Sequence, residues 1–233
     1  MADVSVLARA VQRNTPGQMK IEDQTILLYG REKIGKSTAA SMIGKPVFLD
    51  LEGGLRNIEC DRIPIKDWSV FKKAINVLEQ DIGDFTTTVV DTGSKMWEFC
   101  RRDVLAANNW GHEQDAKFGR AYDAIKDEFA ATFERLMNLP TGLIVIAHDQ
   151  TEEISKPTKI VSYTSARLDK RCRAVIEPAV EMILFADTET TSEGTKRVLR
   201  TKRTEFHEAG DRSGRLPETL ELDARKLIEA YGG

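Results

Sequence analysis

The chain has 233 residues, of which 41% are hydrophobic and 30% are charged, and its formal net charge is −3. These values predict one globular domain over residues 1–233 with a sizeable core, and they exclude a polybasic coat for nucleic acid. No apolar run approaches the ~20 residues of a membrane-spanning helix, so we expect no membrane association. The scattered Cys60, Cys100 and Cys172 favour a reducing cytoplasm over a disulfide framework or a zinc site.

The first fifty residues are organised around one glycine-rich loop. Residues 1–20 would form an arm or a weak helix, docked either on a neighbouring subunit or on its own domain. Residues 25–29 are a short apolar run that predicts a buried strand. Residues 30–38 follow with the pattern G-x-x-x-x-G-K-S, and residues 37–43 then predict a helix. This order of strand, loop and helix is typical of a phosphate-binding loop.

The loop has the residue types that a bound triphosphate requires. Gly30 and Gly35 let the backbone approach the phosphates with no Cβ in the way. Successive N–H groups then converge on one anion site, and the following helix adds the positive end of its dipole. Lys36 would reach the β- and γ-phosphates, and Ser37 would offer its hydroxyl to Mg²⁺. We expect ATP and Mg²⁺ as ligands, with the nucleotide bound by Gly30, Arg31, Glu32, Lys33, Ile34, Gly35, Lys36, Ser37 and Thr38.

Strands and helices alternate through the middle of the chain. β-rich apolar runs predict strands over residues 46–50, 86–90 and 143–147, and helical spacing predicts helices over residues 68–80, 95–107 and 122–138. The alternation predicts an α/β fold with a mostly parallel sheet and helices on both faces.

The pattern changes after residue 147. Residues 149–173 are polar and basic without periodicity, and we expect them to form a loop. Residues 181–186 and 197–201 predict the two strands of a C-terminal antiparallel hairpin. A closing helix is expected within residues 223–233.

Two carboxylates stand where predicted strands end. Asp91 would hold Mg²⁺, often through water, although an alternative is that it caps the next helix. Many related ATPases place a water-activating Glu directly after this Asp, where this chain has Thr92, so the base must come from elsewhere. Glu52 follows the strand at 46–50, at the sheet edge where ligands bind. It would orient and deprotonate the attacking water, unless it merely solvates the turn at Gly53.

The next strand end and the segment after it provide further polar candidates. His148 would hydrogen-bond the γ-phosphate, with Gln150 as an alternative and a simple polar cap as another. The basic segment at residues 149–173 suits single-stranded DNA, because cationic side chains bind phosphates and an aromatic ring can stack on a base. The alternative is a solvated charged loop, and residues 108–117 are a weaker second candidate. The expected DNA ligands are Lys156, Lys159, Tyr163, Arg167, Lys170, Arg171 and Arg173.

A second basic run occupies residues 196–203 and contains no acid. On a strand, Arg200 and Lys202 share one face. They would reach the γ-phosphate of a neighbouring subunit and stabilise transition-state charge, or else protect an edge strand by charge.

These stretches resemble the RecA-like recombinase ATPases, and among them the compact phage-encoded nucleotide-binding proteins of single-strand annealing and recombination. The resemblance covers roughly residues 25–222. It rests on GREKIGKST at 30–38, FLDLEGGL at 48–55, TVVDT at 88–92, IVIAH at 144–148 and RTKR at 200–203. It implies a RecA-like three-layer core and mobile DNA loops at about 93–118 and 150–173. The implied catalytic set is Glu52, Lys36, His148, Arg200 and Lys202, with His148 in place of the usual Asn-Gln pair.

The resemblance also implies a homo-oligomer, either ring or filament, with nucleotide at the subunit interfaces. It places the protein in the cytoplasm of a bacterial or phage-infected cell, with single-stranded DNA and a single-strand-binding protein as partners. We therefore predict a DNA-stimulated ATPase of recombination or annealing. Two alternatives stay open, a P-loop kinase for a small molecule and a non-catalytic nucleotide switch. A GTPase is disfavoured because no N-K-x-D motif follows the later strands.

Overall fold

One sheet of ten strands runs through the molecule, in the order β10-β8-β7-β1-β5-β4-β2-β3, with β6 paired to β5 and β9 to β7. The computed structural model describes residues 19–155, 159–192 and 194–232, so the N-terminal arm or helix predicted at 1–20 lies almost wholly outside the described residues. The strands are β1 (Thr25–Gly30), β2 (Pro46–Asp50), β3 (Asp61–Pro64), β4 (Thr87–Asp91), β5 (Gly142–Ser155), β6 (Ile160–Ala166), β7 (Met182–Thr191), β8 (Gly194–Arg200), β9 (Gly210–Asp211) and β10 (Thr219–Glu221).

Six α-helices are described, together with short 3₁₀ turns. The helices are α1 (Lys36–Ala40), α2 (Trp68–Gln80), α3 (Gly93–Ala107), α4 (Arg120–Met137), α5 (Lys170–Ala179) and α6 (Ala224–Tyr231). Helix α2 begins after Asp67, whose carboxylate accepts a hydrogen bond from the Val70 N–H, as the sequence predicts. None of the described helices is both long and apolar enough to cross a membrane.

The sheet is mostly parallel and covered on both faces, which confirms the predicted α/β class. Strands β3, β2, β4, β5, β1 and β7 pair in parallel, and β8 and β10 add an antiparallel edge near the C-terminus. Along β1, Leu27 and Tyr29 pack into a core with α2 to α5. Ile26 and Leu28 pack into the opposite core with α1 and α6. This alternation of faces builds three layers, because successive strand side chains point to opposite sides.

The expectation of a loop over residues 149–173 is wrong. Strand β5 continues past the sheet edge to Ser155 and pairs antiparallel with β6, from Asp149 opposite Ala166 to Ser155 opposite Ile160. Helix α5 then begins directly after Asp169. Residues 93–107 of the other implied DNA loop are also helical, in α3. Backbone pairing holds the hairpin together. Residues 160–164 hold Ile, Val, Tyr and Thr, a short β-favouring run that was the available sequence signal for β6.

Two edge strands also escaped prediction. Strand β3 extends the parallel side and exposes three of its four residues, and β10 closes the antiparallel side. Short edge strands of this kind carry few buried side chains, so their sequences resemble those of loops.

Candidate nucleotide-binding site

The carboxyl ends of the central strands open onto one cleft of about 720 Å³. Strands β1, β5, β4 and β2 all run in the same direction, so the segments that follow them converge at one edge of the sheet. The lining comprises Glu32, Lys33, Gly35, Lys36, Ser37, Thr38, Glu52, Gly54, Ile58, Asp91, Ser94, Lys95, Glu98, Ile146, His148 and Arg167. The cleft therefore contains most of the residues that the sequence assigned to nucleotide, metal and catalysis.

The glycine-rich loop curves around the side chain of Lys36. Its ammonium donates to the carbonyls of Gly30 at 2.7 Å and Arg31 at 2.8 Å, and the residue is 5% exposed. Burial lowers the pKa of Lys36 from its ordinary value, while the carboxylate of Asp91 opposes that shift. Gly30 has φ +153°, and a Cβ there would lie 2.2 Å from the Ala186 carbonyl oxygen. Only glycine fits this close approach of loop to sheet.

Ser37 and Asp91 form the predicted metal pair. The Ser37 hydroxyl donates to Asp91 Oδ2 over 2.7 Å, across the cleft from α1 to the end of β4. Burial raises the pKa of Asp91, and the hydrogen bond from Ser37 opposes the rise. A hydroxyl and a carboxylate are oxygen ligands that Mg²⁺ accepts, and a cation would compensate the buried carboxylate. The two residues fit the magnesium site that the sequence predicts.

Glu52 lies on the opposite wall, held by two neighbours. The Thr92 hydroxyl donates to Glu52 Oε1 over 2.7 Å, and His148 Nε2 lies 3.5 Å from Glu52 Oε2. The backbone is fixed as well, because the Leu51 N–H donates to the Asp91 carbonyl over 2.9 Å. Glu52 and His148, predicted separately from two strand ends, are therefore side by side.

The neighbouring acid Asp50 has a different role. Its side chain is 1% exposed, accepts the Gly53 N–H at 2.7 Å and pairs with Arg62 Nη1 at 2.6 Å. These bonds occupy the carboxylate and lock the turn that presents Glu52. Beside Glu52, His148 Nδ1 is buried and has no hydrogen-bond partner among the described residues, so this ring has an unused polar atom.

Three residues of the site were missed by sequence reasoning. Thr92 orients Glu52, Arg62 anchors the turn before it, and Arg197 donates to the Ile34 carbonyl over 3.2 Å beneath the loop. Thr92 carried a signal, since it occupies the place of the usual base, but its role was not inferred. Arg62 and Arg197 lie on β3 and β8, and nothing in their local sequence points to the cleft.

The predicted DNA ligands are spread over three elements. Lys156 lies outside the described residues, and Lys159 pairs with Glu205 at 2.8 Å on the hairpin. Tyr163 donates to Glu208 at 2.6 Å. Contact of these side chains with DNA stays a prediction.

The remaining members of that set lie at the cleft and on α5. Arg167 faces the cleft, Lys170 is exposed at the start of α5, and the Arg171 guanidinium lies 3.9 Å from the ring centre of Tyr122. Arg173 turns inward and donates to the Ala166 carbonyl at 2.6 Å. That inward bond gives Arg173 a structural role, which the sequence did not predict.

The second basic pair lies on the antiparallel edge. Arg200 lies 3.5 Å from Asp187 and 3.3 Å from Glu189 of its own chain, and Lys202 is exposed just beyond β8. Neither residue lines the cleft of its own subunit. Their action on a neighbour's nucleotide stays a prediction.

The cleft combines a phosphate loop, placed between a central strand and a short helix, with an aspartate at the end of strand β4. This is the arrangement of a P-loop nucleotide-binding domain. The profile of an AAA domain family, AAA_24, matches residues 22–213, and the chain belongs to that family. The chain is also similar to the SPbeta prophage-derived uncharacterized protein YorG of Bacillus subtilis (strain 168). The two are 24% identical over 224 residues, covering 90% of this chain and 67% of the relative.

Solved structures with similar chains include two archaeal proteins. The KaiC-like protein PH0186 of Pyrococcus horikoshii OT3 is 14% identical, with a TM-score of 0.43 over 77% of this chain and 78% of that one. The flagellar accessory protein FlaH of Methanocaldococcus jannaschii is 12% identical, with a TM-score of 0.49 over 87% of this chain and 86% of that one.

Proposed function

We propose that this protein is a Mg²⁺-dependent ATPase whose turnover is coupled to single-stranded DNA, as a homo-oligomer acting in phage recombination or annealing. The observation that carries the hydrolytic part is the position of Glu52. Its carboxylate is held by Thr92 and lies beside His148, in the same cleft as Lys36 and the Ser37–Asp91 pair. A kinase would use such a carboxylate on a substrate's hydroxyl and a hydrolase uses it on water, so the acceptor of the phosphate separates the two functions.

Each residue has a distinct part in hydrolysis. The loop N–H groups and Lys36 bind and orient the phosphates, and Lys36 offsets charge on the β- and γ-phosphates. Ser37 and Asp91 would hold Mg²⁺, which would supply positive charge to offset that of the phosphates. Glu52 takes a proton from the attacking water, and Thr92 keeps its carboxylate oriented. His148, with Nδ1 available, hydrogen-bonds the terminal phosphate.

A continuous backbone path supports coupling to DNA. Strand β5 carries His148 at the cleft and then extends without a break into the β5–β6 hairpin. At the base of the hairpin the Arg167 N–H donates to the His148 carbonyl over 2.8 Å. A shift of His148 on phosphate binding would therefore move both hairpin strands. Lys159, directly before β6, and Tyr163 on β6 offer a cation and a ring to a nucleic-acid strand.

The proposal of an oligomer rests on the basic residues at the antiparallel edge of the sheet, Arg200 and Lys202. Lys202 is exposed and able to reach a neighbour, whereas Arg200 would first have to leave Asp187 and Glu189. We assign Lys202 the larger share of trans stabilisation. The phage context is supported by the prophage-derived relative, and a single-strand-binding protein is the partner we propose for loading onto DNA.

ATP hydrolysis measured with and without single-stranded DNA tests the proposal. Assays at about 50 mM and about 200 mM salt separate phosphate contacts from other effects, since such contacts release counterions. We expect DNA to stimulate hydrolysis and the higher salt to weaken that effect. Lys36→Ala provides the inactive control.

Two outcomes would refute separate parts of the proposal. No DNA binding at low salt refutes the coupling, and transfer of phosphate to a small acceptor in place of water would establish the kinase alternative. For the oligomer, Lys202→Ala is mixed with Lys36→Ala. Recovery of hydrolysis in the mixture is expected, because an intact cleft of one subunit then meets an intact Lys202 of the other. No recovery at any ratio refutes the trans role.

A further inference from the structure

The side chain of Arg167 lies at the mouth of the nucleotide cleft, away from the hairpin surface that DNA would use. It lines the cleft together with Lys36, and its guanidinium lies 3.3 Å from Glu32 Oε1 of the phosphate loop. Its backbone N–H donates to the His148 carbonyl over 2.8 Å. Arg167 is therefore tied both to the loop that would hold phosphates and to the strand end that would detect them.

The charges around the cleft make Arg167 a candidate ligand of a phosphate. Four cations line it, Lys33, Lys36, Lys95 and Arg167, against four carboxylates, Glu32, Glu52, Asp91 and Glu98. Lys95 is paired with Glu98 at 2.7 Å, and Lys36 is bonded to the loop carbonyls. By contrast, the Arg167–Glu32 pair is longer, at 3.3 Å, and its two side chains are 51% and 62% exposed. Exposed pairs of this kind contribute little to stability, so Arg167 can turn inward at small cost.

We propose that Arg167 binds the terminal phosphate of the nucleotide held by its own subunit. This inference rests on the proposed function, since it presupposes ATP in the cleft. A guanidinium has five N–H donors in a planar fork that matches phosphate oxygens. The contact with Glu32 engages Nη2 and leaves the other donors of the guanidinium for phosphate oxygens. Glu32 thus presents Arg167 to the cleft, and the phosphate supplies the second acceptor.

The role would make Arg167 a sensor of ATP against ADP. A terminal phosphate would fix the guanidinium at the base of β6. The backbone hydrogen bond from Arg167 to the His148 carbonyl would transmit this constraint to both strands of the hairpin. ADP offers no γ-phosphate, so it would leave Arg167 on Glu32. The prediction is an interaction that distinguishes the two nucleotides without any DNA.

Calorimetric titration with Mg²⁺ and no DNA tests this directly. The probes are ADP and the β,γ-imido analogue of ATP, which is not hydrolysed. We expect Arg167→Ala to weaken binding of the triphosphate about tenfold and of ADP by less than about twofold. Arg167→Lys keeps the charge but loses the fork, so its loss should be smaller and equally selective. Arg225→Ala, an exposed arginine of α6 outside the cleft, is the matched control and should bind both probes as the wild type does.

The outcomes separate this inference from the function it rests on. Equal losses for both probes, or no loss for either, would overturn the assignment of Arg167. Loss of DNA binding with both nucleotide affinities unchanged would also overturn it and return Arg167 to the DNA surface. Should Arg167→Ala fail to fold, Arg167→Lys carries the same test of selectivity. A wild-type protein that binds neither probe would instead refute the proposed function.

Discussion

Replacing Glu52 by glutamine removes the proposed base but keeps its size and its hydrogen bond to Thr92. A general base in such a site contributes about 10²–10⁴-fold to a rate, which corresponds to roughly 3–5 kcal/mol of barrier. The Glu52 side chain is 34% exposed, so water screens it in part and we expect a loss of about 10²–10³-fold in kcat. The amide oxygen of the glutamine still accepts a hydrogen bond from Thr92, with the strength of a bond between neutral groups. The free energy of unfolding should therefore change by about 1 kcal/mol or less.

The assay is steady-state ATP hydrolysis together with direct measurement of nucleotide binding. We expect Glu52→Gln to bind ATP as the wild type does while turnover is lost, because the residue acts on water and not on the phosphates. Glu98→Gln is the matched control: it also neutralises a carboxylate lining the cleft, and it should keep turnover within about threefold of the wild type. Wild-type turnover in Glu52→Gln, or loss of ATP binding with turnover, would refute the reasoning.

Three further expectations concern the surroundings of the site. Thr92→Ala should lower kcat about tenfold with ATP affinity unchanged, and Thr92→Ser should restore it, since a hydroxyl alone orients Glu52; a serine variant as slow as alanine would contradict this. Asp50→Asn should lower the unfolding free energy by about 2–3 kcal/mol in chemical denaturation, because it removes the charge of a buried carboxylate that pairs with the half-exposed Arg62. Unchanged stability would show that the turn does not depend on this pair. Burial raises the pKa of the Glu177 carboxyl, so its protonated form stabilises the fold, and this contribution is lost as pH rises through that pKa. Glu177→Gln should therefore have a higher melting temperature than the wild type at about pH 7 and the same melting temperature below about pH 4. A difference in melting temperature that is the same at both pH values would refute the linkage.

Much of the cleft was readable from the sequence because parallel strands impose a common edge. Once residues 25–30, 46–50, 87–91 and 142–147 are strands of one parallel sheet, the residues after them must meet. Lys36, Ser37, Asp91, Glu52 and His148 therefore came together as predicted. The signal is strong because buried strands need continuous apolar runs, and such runs survive in a single sequence.

The hairpin and the supporting contacts were decided by tertiary structure. Strand β6 is a short run of β-favouring residues between charged stretches, and its backbone pairing with β5 fixes it as a strand. The partner that locks Asp50 is Arg62, on an exposed edge strand. Such contacts join residues that are distant or irregularly spaced in the chain and leave no periodic trace.

The sequence by itself determined the phosphate loop, the residues that stand at the ends of the central strands and the polar side chains that meet there. Periodicity and the positions of glycine residues report local conformation, and the parallel sheet then brings the strand-end residues together at one site. Only the tertiary structure decided what each polar side chain does in that site. Asp50 anchors the turn and Glu52 lines the cleft, although the two stand two positions apart, because β3 supplies a cation to Asp50. It also turned Arg173 inward to the Ala166 carbonyl of β6, and Arg167 to the cleft, where Glu32 of the phosphate loop accepts from it.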